Sequence, residues 1–242
     1  MDIKVQRKDI ACSVAEEEMW RHRYEIFTRL FKGRNDVVAE HRDGKYSPVE
    51  GAGLTFERFL DHVRMNETYA VYNKSDEGMV NFGLFDVDVS DRDRGWDAIL
   101  PEMEQKRKET ALIMQTLTDM GLERRNMLLE FPTVGFHLFI FFASPVPAKA
   151  LKSLMGFVLK RSGLEKMPFY PRKVDGSPWG DRIQLPLRIN RNTSKRSNFI
   201  HDLESFDPEH YDGEPDFSVL EKVVPINSAW VLNMLDKYGL QQ

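Results

Sequence analysis

Cysteine is almost missing from this sequence, as are long apolar runs and any excess of positive charge. The one cysteine, Cys12, excludes an internal disulfide and a zinc site built from cysteines. No apolar run approaches the roughly 18 residues that a membrane-spanning helix needs. The first residues contain no apolar segment typical of a secretion signal, so we expect a cytoplasmic protein without a membrane partner.

The charge of the chain is unevenly distributed. A formal net charge of −4 argues against indiscriminate binding to nucleic acid. Residues 160–200, however, contain ten Lys/Arg against three Asp/Glu, a net of +7, whereas residues 201–242 contain two against nine, a net of −7. A local block of positive charge indicates a polyanionic ligand better than the total charge does.

The most informative segment is residues 85–89, Phe-Asp-Val-Asp-Val, in an apolar run that predicts a buried strand. Asp86 and Asp88 are two apart, so on a strand they lie on one face with Cα atoms roughly 6.6 Å apart. Burying such charges without compensation is costly, because they lose their hydration. A divalent cation held by carboxylate oxygens is the economical compensation.

The hydrophobic pattern predicts an α+β fold. Helices are expected over 14–32, 55–64, 96–120 (with Leu112 in the core) and 148–161, and strands over 68–72, 79–89, 127–131, 135–142 and 182–187. The order from residue 79 to about 190 predicts a ferredoxin-like βαββαβ unit packed against a small N-terminal α/β module. We expect the segments 1–75, 76–205 and 206–242 to form one integrated domain. Residues 34–53 are polar and predict a loop, with a turn at 46–48.

Other polar residues are placed to act with the two aspartates. Gly135 and His137 open a predicted strand, and Asp175 precedes a strand that begins at Arg182. Taken singly, a histidine before an apolar strand is usually a core or capping residue, and an aspartate beside Gly176 is usually a turn residue. Acids, a histidine and arginines in this order are nevertheless the parts that phosphoryl transfer requires.

The order of these motifs resembles the archaeo-eukaryotic primase superfamily. Its acid-x-acid strand, its motif of a small residue, any residue and histidine, and its acid before an R-x-L/V-P strand correspond to Asp86–Asp88, Gly135–His137, and Asp175 with the strand 182–186. Residues 30–39 (LFKGRNDVVA) and 46–48 (YSP) are similar to the branch found in TOTE conflict systems and CRISPR-associated primase-polymerases.

This resemblance implies template-directed nucleotidyl transfer by a primase-polymerase. Its substrates would be a single-stranded DNA template, a primer strand and NTPs or dNTPs, and helicase or nuclease partners outside this chain would be possible. Two Mg²⁺ or Mn²⁺ ions would be held by Asp86, Asp88 and Asp175. His137, beside Gly135, would contact the triphosphate, with candidate basic or polar contacts at Arg182, Arg188, Asn190, Arg191, Lys195 and Arg196. Arg29, Lys32 and Arg34 would contact the template.

A departure from the family pattern and a second nearby acid leave alternatives open. Gly135 stands where the family often has serine, so a hydroxyl contact to phosphate is lost or moved, and Asp181 competes with Asp175 for the role of third acid. A non-catalytic module that binds single-stranded nucleic acid would share the scaffold, but the acids on its strand would repel a phosphate backbone without metal. A metal-dependent nuclease would share the acids, but it would not need a basic loop for a triphosphate.

Overall fold

The computed structural model describes residues 14–42, 44–64, 67–90, 96–188, 195–211 and 215–241. The α-helices are α1 (Val14–Leu30), α2 (Phe56–Val63), α3 (Trp96–Asp119), α4 (Ala148–Arg161), α5 (Ser218–Glu221) and α6 (Ala229–Tyr238). The strands are β1 (Val37–Arg42), β2 (Lys45–Glu50), β3 (Tyr69–Tyr72), β4 (Met79–Asp88), β5 (Met127–Phe131), β6 (Gly135–Pro147), β7 (Phe169–Tyr170), β8 (Arg182–Gln184) and β9 (Asn198–Ile200). None of the helices in these ranges is both long and apolar enough to cross a membrane.

The larger sheet contains the predicted βαββαβ unit. Its strand order is β7-β4-β6-β5-β9, and its pairings are antiparallel. The unit runs β4-α3-β5-β6-α4-β7, so the predicted α+β fold is confirmed. The prediction of its last strand was wrong: β7 closes the unit, and Arg182–Gln184 pairs elsewhere. A two-residue strand leaves too short a pattern to be detected from sequence.

The smaller sheet has the order β2-β1-β3-β8. Its hairpin β1–β2 occupies the segment that the polar composition predicted as a loop, with Pro48 paired to Ala39 within the ladder instead of in a turn. β2 lies at the edge of the sheet, and its side chains are mostly exposed or half-buried. An edge strand tolerates both polar residues and proline, so its sequence does not show the apolar alternation of a buried strand.

Two hydrophobic clusters cover the two faces of the larger sheet. Phe85 and Val87 pack with residues of α3 and α4, whereas Phe82 and Leu84 pack with residues of α1, α2 and the smaller sheet. The second cluster draws on residues from Phe27 to Val223, so its core is shared by all three predicted segments. The expected core residue of α3, Leu112, instead lies on the solvent side, 51% exposed.

Candidate active site

The candidate site lies where the buried face of β4 reaches its polar end. Phe82 and Leu84 belong to the aromatic core between the sheets, and Asp86 and Asp88 follow at the same period of two. Asp86 and Asp88 therefore lie on one face of an observed strand, as their spacing predicts. Their side chains are 20% and 12% exposed, at the border between the core and a solvent-accessible cleft.

A row of three side chains crosses the sheet at this border. The register pairs Glu130 of β5 with His137 of β6, and His137 with Asp86 of β4. His137 Nδ1 lies 2.7 Å from Glu130 Oε2, while Nε2 lies 3.5 Å from Asp86 Oδ1 and 3.9 Å from Asp88 Oδ1. Glu130 thus fixes the imidazole so that its other nitrogen faces the two acids.

The imidazole of His137 is both buried and surrounded by negative charge. Burial by itself lowers its pKa, but the carboxylates of Glu130 and Asp86 outweigh burial and raise the pKa of His137 to about 9. Without a bound cation, the ring is therefore an imidazolium at neutral pH. Its Nε2–H points toward the cleft in which an anion or a metal would bind.

Gly135 lies directly across the ladder from Asp88. Its φ is +150°, and a Cβ there would lie 2.4 Å from Asp88 Oδ1 and 2.7 Å from the Val87 carbonyl oxygen. Glycine is thus required by the close approach of the Asp88 carboxylate. A serine at this position would displace one of the acids, which gives a physical reason for the departure from the family pattern.

Two of the predicted basic residues reach the site. Arg182 and Arg188 line a cleft of about 180 Å³ together with Asp86, Asp88 and His137. They arrive from the smaller sheet, because β8 pairs with β3 and the chain then turns back toward the acids. The cleft therefore brings two arginines beside the carboxylates, with the Arg182 guanidinium 4.6 Å from the centre of the Tyr46 ring.

The segment that carries Arg188 is anchored by a second buried histidine. His62 Nε2 donates to the Pro186 carbonyl oxygen at 2.7 Å, and the Tyr69 amide donates to His62 Nδ1 at 3.1 Å. Burial, with further repulsion from Arg188, lowers the pKa of His62 to about 4. This ring is neutral, and both of its nitrogens bond to backbone groups.

The remaining predicted triphosphate contacts are placed differently. Lys195 Nζ lies 5.0 Å from the centre of the Trp96 ring, and Arg196 donates to the Val63 carbonyl oxygen at 2.8 Å. Neither residue lines the cleft beside the acids. Asn190 and Arg191 lie outside the described residues. For Lys195 and Arg196, contact with a triphosphate stays a prediction.

The structure does not bring the predicted third acid to this group. The Asp175 side chain is 73% exposed, and its carboxylate lies 2.9 Å from Lys149 Nζ on α4. Its competitor, Asp181, is buried and accepts hydrogen bonds from the backbone amides of Arg172 and Lys173 at 2.6 and 2.9 Å. Both aspartates thus have local structural partners, and within the described ranges the compact group consists of Asp86, Asp88 and His137 alone.

The predicted template contacts, Arg29, Lys32 and Arg34, do not line the cleft beside the acids. Arg29 lies in the last turn of α1, and Lys32 and Arg34 line a different cavity of about 360 Å³. The Arg34 guanidinium pairs with Asp36 and Asp76 at 2.6 Å each, and these bonds raise its pKa. Arg34 thus joins two loops of the fold, and its predicted contact with template is not tested by this geometry.

The site residues suit a divalent cation. The ligand atoms of Asp86, Asp88 and His137 all lie within 4.8 Å of one another. Carboxylate oxygens are the atoms that Mg²⁺ and Mn²⁺ take in proteins, and an imidazole held by a carboxylate is the usual arrangement of a histidine ligand. Glu130 is the carboxylate that holds the His137 imidazole in this way. The donor atoms of the group therefore fit the predicted Mg²⁺ or Mn²⁺.

Glu130 is the functional residue that the sequence interpretation missed. It stands in the strand Met-Leu-Leu-Glu-Phe and is 1% exposed. A carboxylate in the middle of an otherwise apolar strand is the signal that would have found it, since a buried acid needs a partner. His137 becomes this partner through the register of the hairpin β5–β6, which pairs it with Glu130.

The family of this chain is shown by a match over most of its length. A family model described as "TOTE conflict system, Archaeo-Eukaryotic Primase domain" matches residues 44–233. The chain therefore belongs to this family of archaeo-eukaryotic primase domains, which confirms the assignment expected from its motifs.

The chain was also compared with curated proteins and with solved structures. No curated protein matches the chain. Among solved structures, it is similar to the AEP domain of the cyanophage S-2L primase-polymerase, with 17% sequence identity over 84% of this chain and 98% of that chain and a TM-score of 0.39.

Proposed function

We propose that this chain is a primase-polymerase that transfers nucleotidyl groups from NTPs or dNTPs to a 3′-hydroxyl, directed by a single-stranded DNA template. Family membership supports the reaction class. The observation that carries the proposal is the compact group of Asp86, Asp88 and His137, which shares one cleft with two arginines. Carboxylates for a metal and fixed cations for phosphates are the parts that this reaction needs.

In the proposed reaction, the 3′-hydroxyl oxygen bonds to the α-phosphorus of the incoming nucleotide and the bond to the diphosphate breaks. The hydroxyl proton passes to solvent, and diphosphate leaves with its extra negative charge. Asp86 and Asp88 would hold Mg²⁺ or Mn²⁺, which would lower the pKa of the attacking hydroxyl and neutralise the phosphates. His137 and Arg182 contact the triphosphate and keep it in line, while Arg188 faces the departing diphosphate.

The number of metal ligands is the part of this proposal that a mutation tests best. The motif order assigns a third ligand to Asp175, whereas the geometry pairs that residue with Lys149. Asp175→Ala is therefore a matched control for Asp86→Ala and Asp88→Ala. We expect the latter two to lower synthesis at least about a hundredfold, and we expect Asp175→Ala to retain most of the activity.

The assay combines a single-stranded template, with and without a labelled primer, in Mg²⁺ or Mn²⁺ with NTPs or dNTPs. New products without primer, absent in Asp86→Ala, support a primase-polymerase, and extension of the primer alone supports a polymerase. Degradation of the primer in the absence of nucleotides indicates a nuclease instead. A wild-type protein that binds template without synthesis overturns the proposal. If Asp175→Ala loses as much synthesis as Asp86→Ala, Asp175 is the third metal ligand that the motif order assigns.

A further inference from the structure

Asp86 and Asp88 separate two cavities of different chemistry. One is the cleft with His137, Arg182 and Arg188 described above. The other, of about 660 Å³, is lined by the same two acids together with residues of α3 and of the segment 163–168. The two aspartates are the residues that these cavities share. Nucleotidyl transfer needs two substrates, with attacking and leaving oxygens roughly in line across the phosphorus.

The charge of the larger cavity does not suit a triphosphate. Apart from the shared acids, its charged lining residues are Lys106, Glu109, Glu165 and Lys166, which balance each other. Leu164 and Met167 add apolar surface, and both also pack against the core of the sheet. A balanced wall with apolar patches suits a sugar and a base that carry a single phosphodiester charge. Its volume is in the range of sites that hold a nucleotide-sized ligand.

Lys106 is the cation best held in this wall. Its Nζ lies 2.9 Å from Glu109 Oε2, and the two side chains are only 16% and 14% exposed. One turn earlier on α3, Glu102 accepts a hydrogen bond from the backbone amide of Ser90 at 2.6 Å. Ser90 lies two residues beyond the end of β4. This bond therefore holds α3 against the end of the strand that carries the acids.

We propose that the larger cavity binds the strand that supplies the 3′-hydroxyl, and that Lys106 binds the phosphodiester next to its terminal nucleotide. This inference rests on the proposed function, because it assigns the second substrate of that reaction. Glu109 holds Lys106 in place when no strand is bound, and the phosphodiester competes with it. The incoming triphosphate binds on the arginine side of the acids.

The test compares Lys106→Ala with the matched variant Lys108→Ala, two residues further along the same helix. Lys108 is 66% exposed, pairs with Glu104 and does not line the cavity. We expect Lys106→Ala to raise the KM for primer–template about tenfold and to leave the KM for the nucleotide unchanged. Lys108→Ala should change neither value.

A binding measurement makes the proposal independent of synthesis. Fluorescence anisotropy with a labelled primer–template at several salt concentrations should show a salt slope reduced by about one in Lys106→Ala only. If the wild type makes no product, the proposed function fails, but this slope still decides whether the cavity binds a strand. Equal slopes in both variants, or a raised KM for the nucleotide in Lys106→Ala, overturn the assignment.

Discussion

The two sheets contribute different halves of the site, and a buried histidine lies in the larger sheet and another on α2 beside the smaller one, in different charge states. In the larger sheet, His137 lies among carboxylates, and its pKa is raised to about 9. Beside the smaller sheet, His62 of α2 bonds to the backbone of Tyr69 and Pro186, and its pKa is lowered to about 4. Both rings are buried, so the sign of the shift is decided by the partners and not by burial alone.

The comparison also shows two ways of assembling a site. The anionic half follows from the pairing of neighbouring strands, since Asp86, His137 and Glu130 share one row of the register. The cationic half depends on β8, which pairs with β3 although the two strands are far apart in the sequence. Changes in the larger sheet should therefore alter chemistry directly, while changes around His62 should alter stability.

The largest expected effect in this comparison is that of Gly135→Ala. Its Cβ would meet Asp88 Oδ1 at 2.4 Å, so the acid must move. A displacement of about 1 Å in a reacting group costs roughly a hundredfold in rate, and we expect a loss of synthesis of about that size. Gly121→Ala is the matched control, because Gly121 also has positive φ (+97°) but nothing lies within 4 Å of its Cβ. Equal losses in both variants would assign the effect to backbone strain.

A smaller effect is expected for Glu130→Gln, which keeps the shape of the side chain and removes its charge. Glu130 orients His137, the proposed triphosphate contact, and the loss of a carboxylate that orients a site histidine typically costs about 10–100-fold, so we expect a loss of synthesis in that range. The variant should also lower the pKa of the His137 ring, which NMR titration of the metal-free protein measures. Glu123→Gln, at a 64% exposed side chain paired with Arg125, is the control. An unchanged His137 pKa would contradict the assignment of Glu130 as its partner.

The smallest effect on activity, but a clear one on stability, is expected around His62. Because its folded-state pKa lies below the usual 6.5, the contribution of the neutral ring is present above pH 6.5 and is lost as pH falls toward 4. The full loss is about 3 kcal/mol of unfolding free energy. Chemical denaturation from pH 7 to pH 4 should show wild type and His62→Gln converging in stability as the pH falls. The control is His22→Gln, at a 63% exposed position, and a constant gap for His62→Gln would contradict the prediction.

Much of the larger sheet could be predicted because its main strands are apolar runs that are buried on both faces. The segment 79–89 alternates around the acids, and the helix predicted over 148–161 has those bounds in the structure. The one-face placement of Asp86 and Asp88 follows from the period of two. Glu130 was missed because its importance depends on cross-strand register, which a single strand does not reveal.

The smaller sheet was harder to predict, for physical reasons that differ between strands. β2 is an edge strand whose exposed polar residues leave no periodic signal. β8 was expected beside β4, since a strand following the second crossover helix usually completes the unit, but β7 takes that place. Asp175 was assigned by its spacing to β8, and in the structure it lies in the loop before β8, paired with Lys149 of α4. Its role as a metal ligand stays a prediction.

The pairing of β3 with β8 has a consequence for how the protein folds. Tyr72 and Arg182 are partners although 110 residues separate them along the chain. Closing a loop of that length costs about 4 kcal/mol of chain entropy before any contact forms, and such distant pairings slow folding. The acids belong to neighbouring strands of one sheet, whereas the position of the arginines depends on this distant pairing. Removal of residues 1–75 would take away the strand that receives β8, together with the aromatic residues that pack against Phe82 and Leu84.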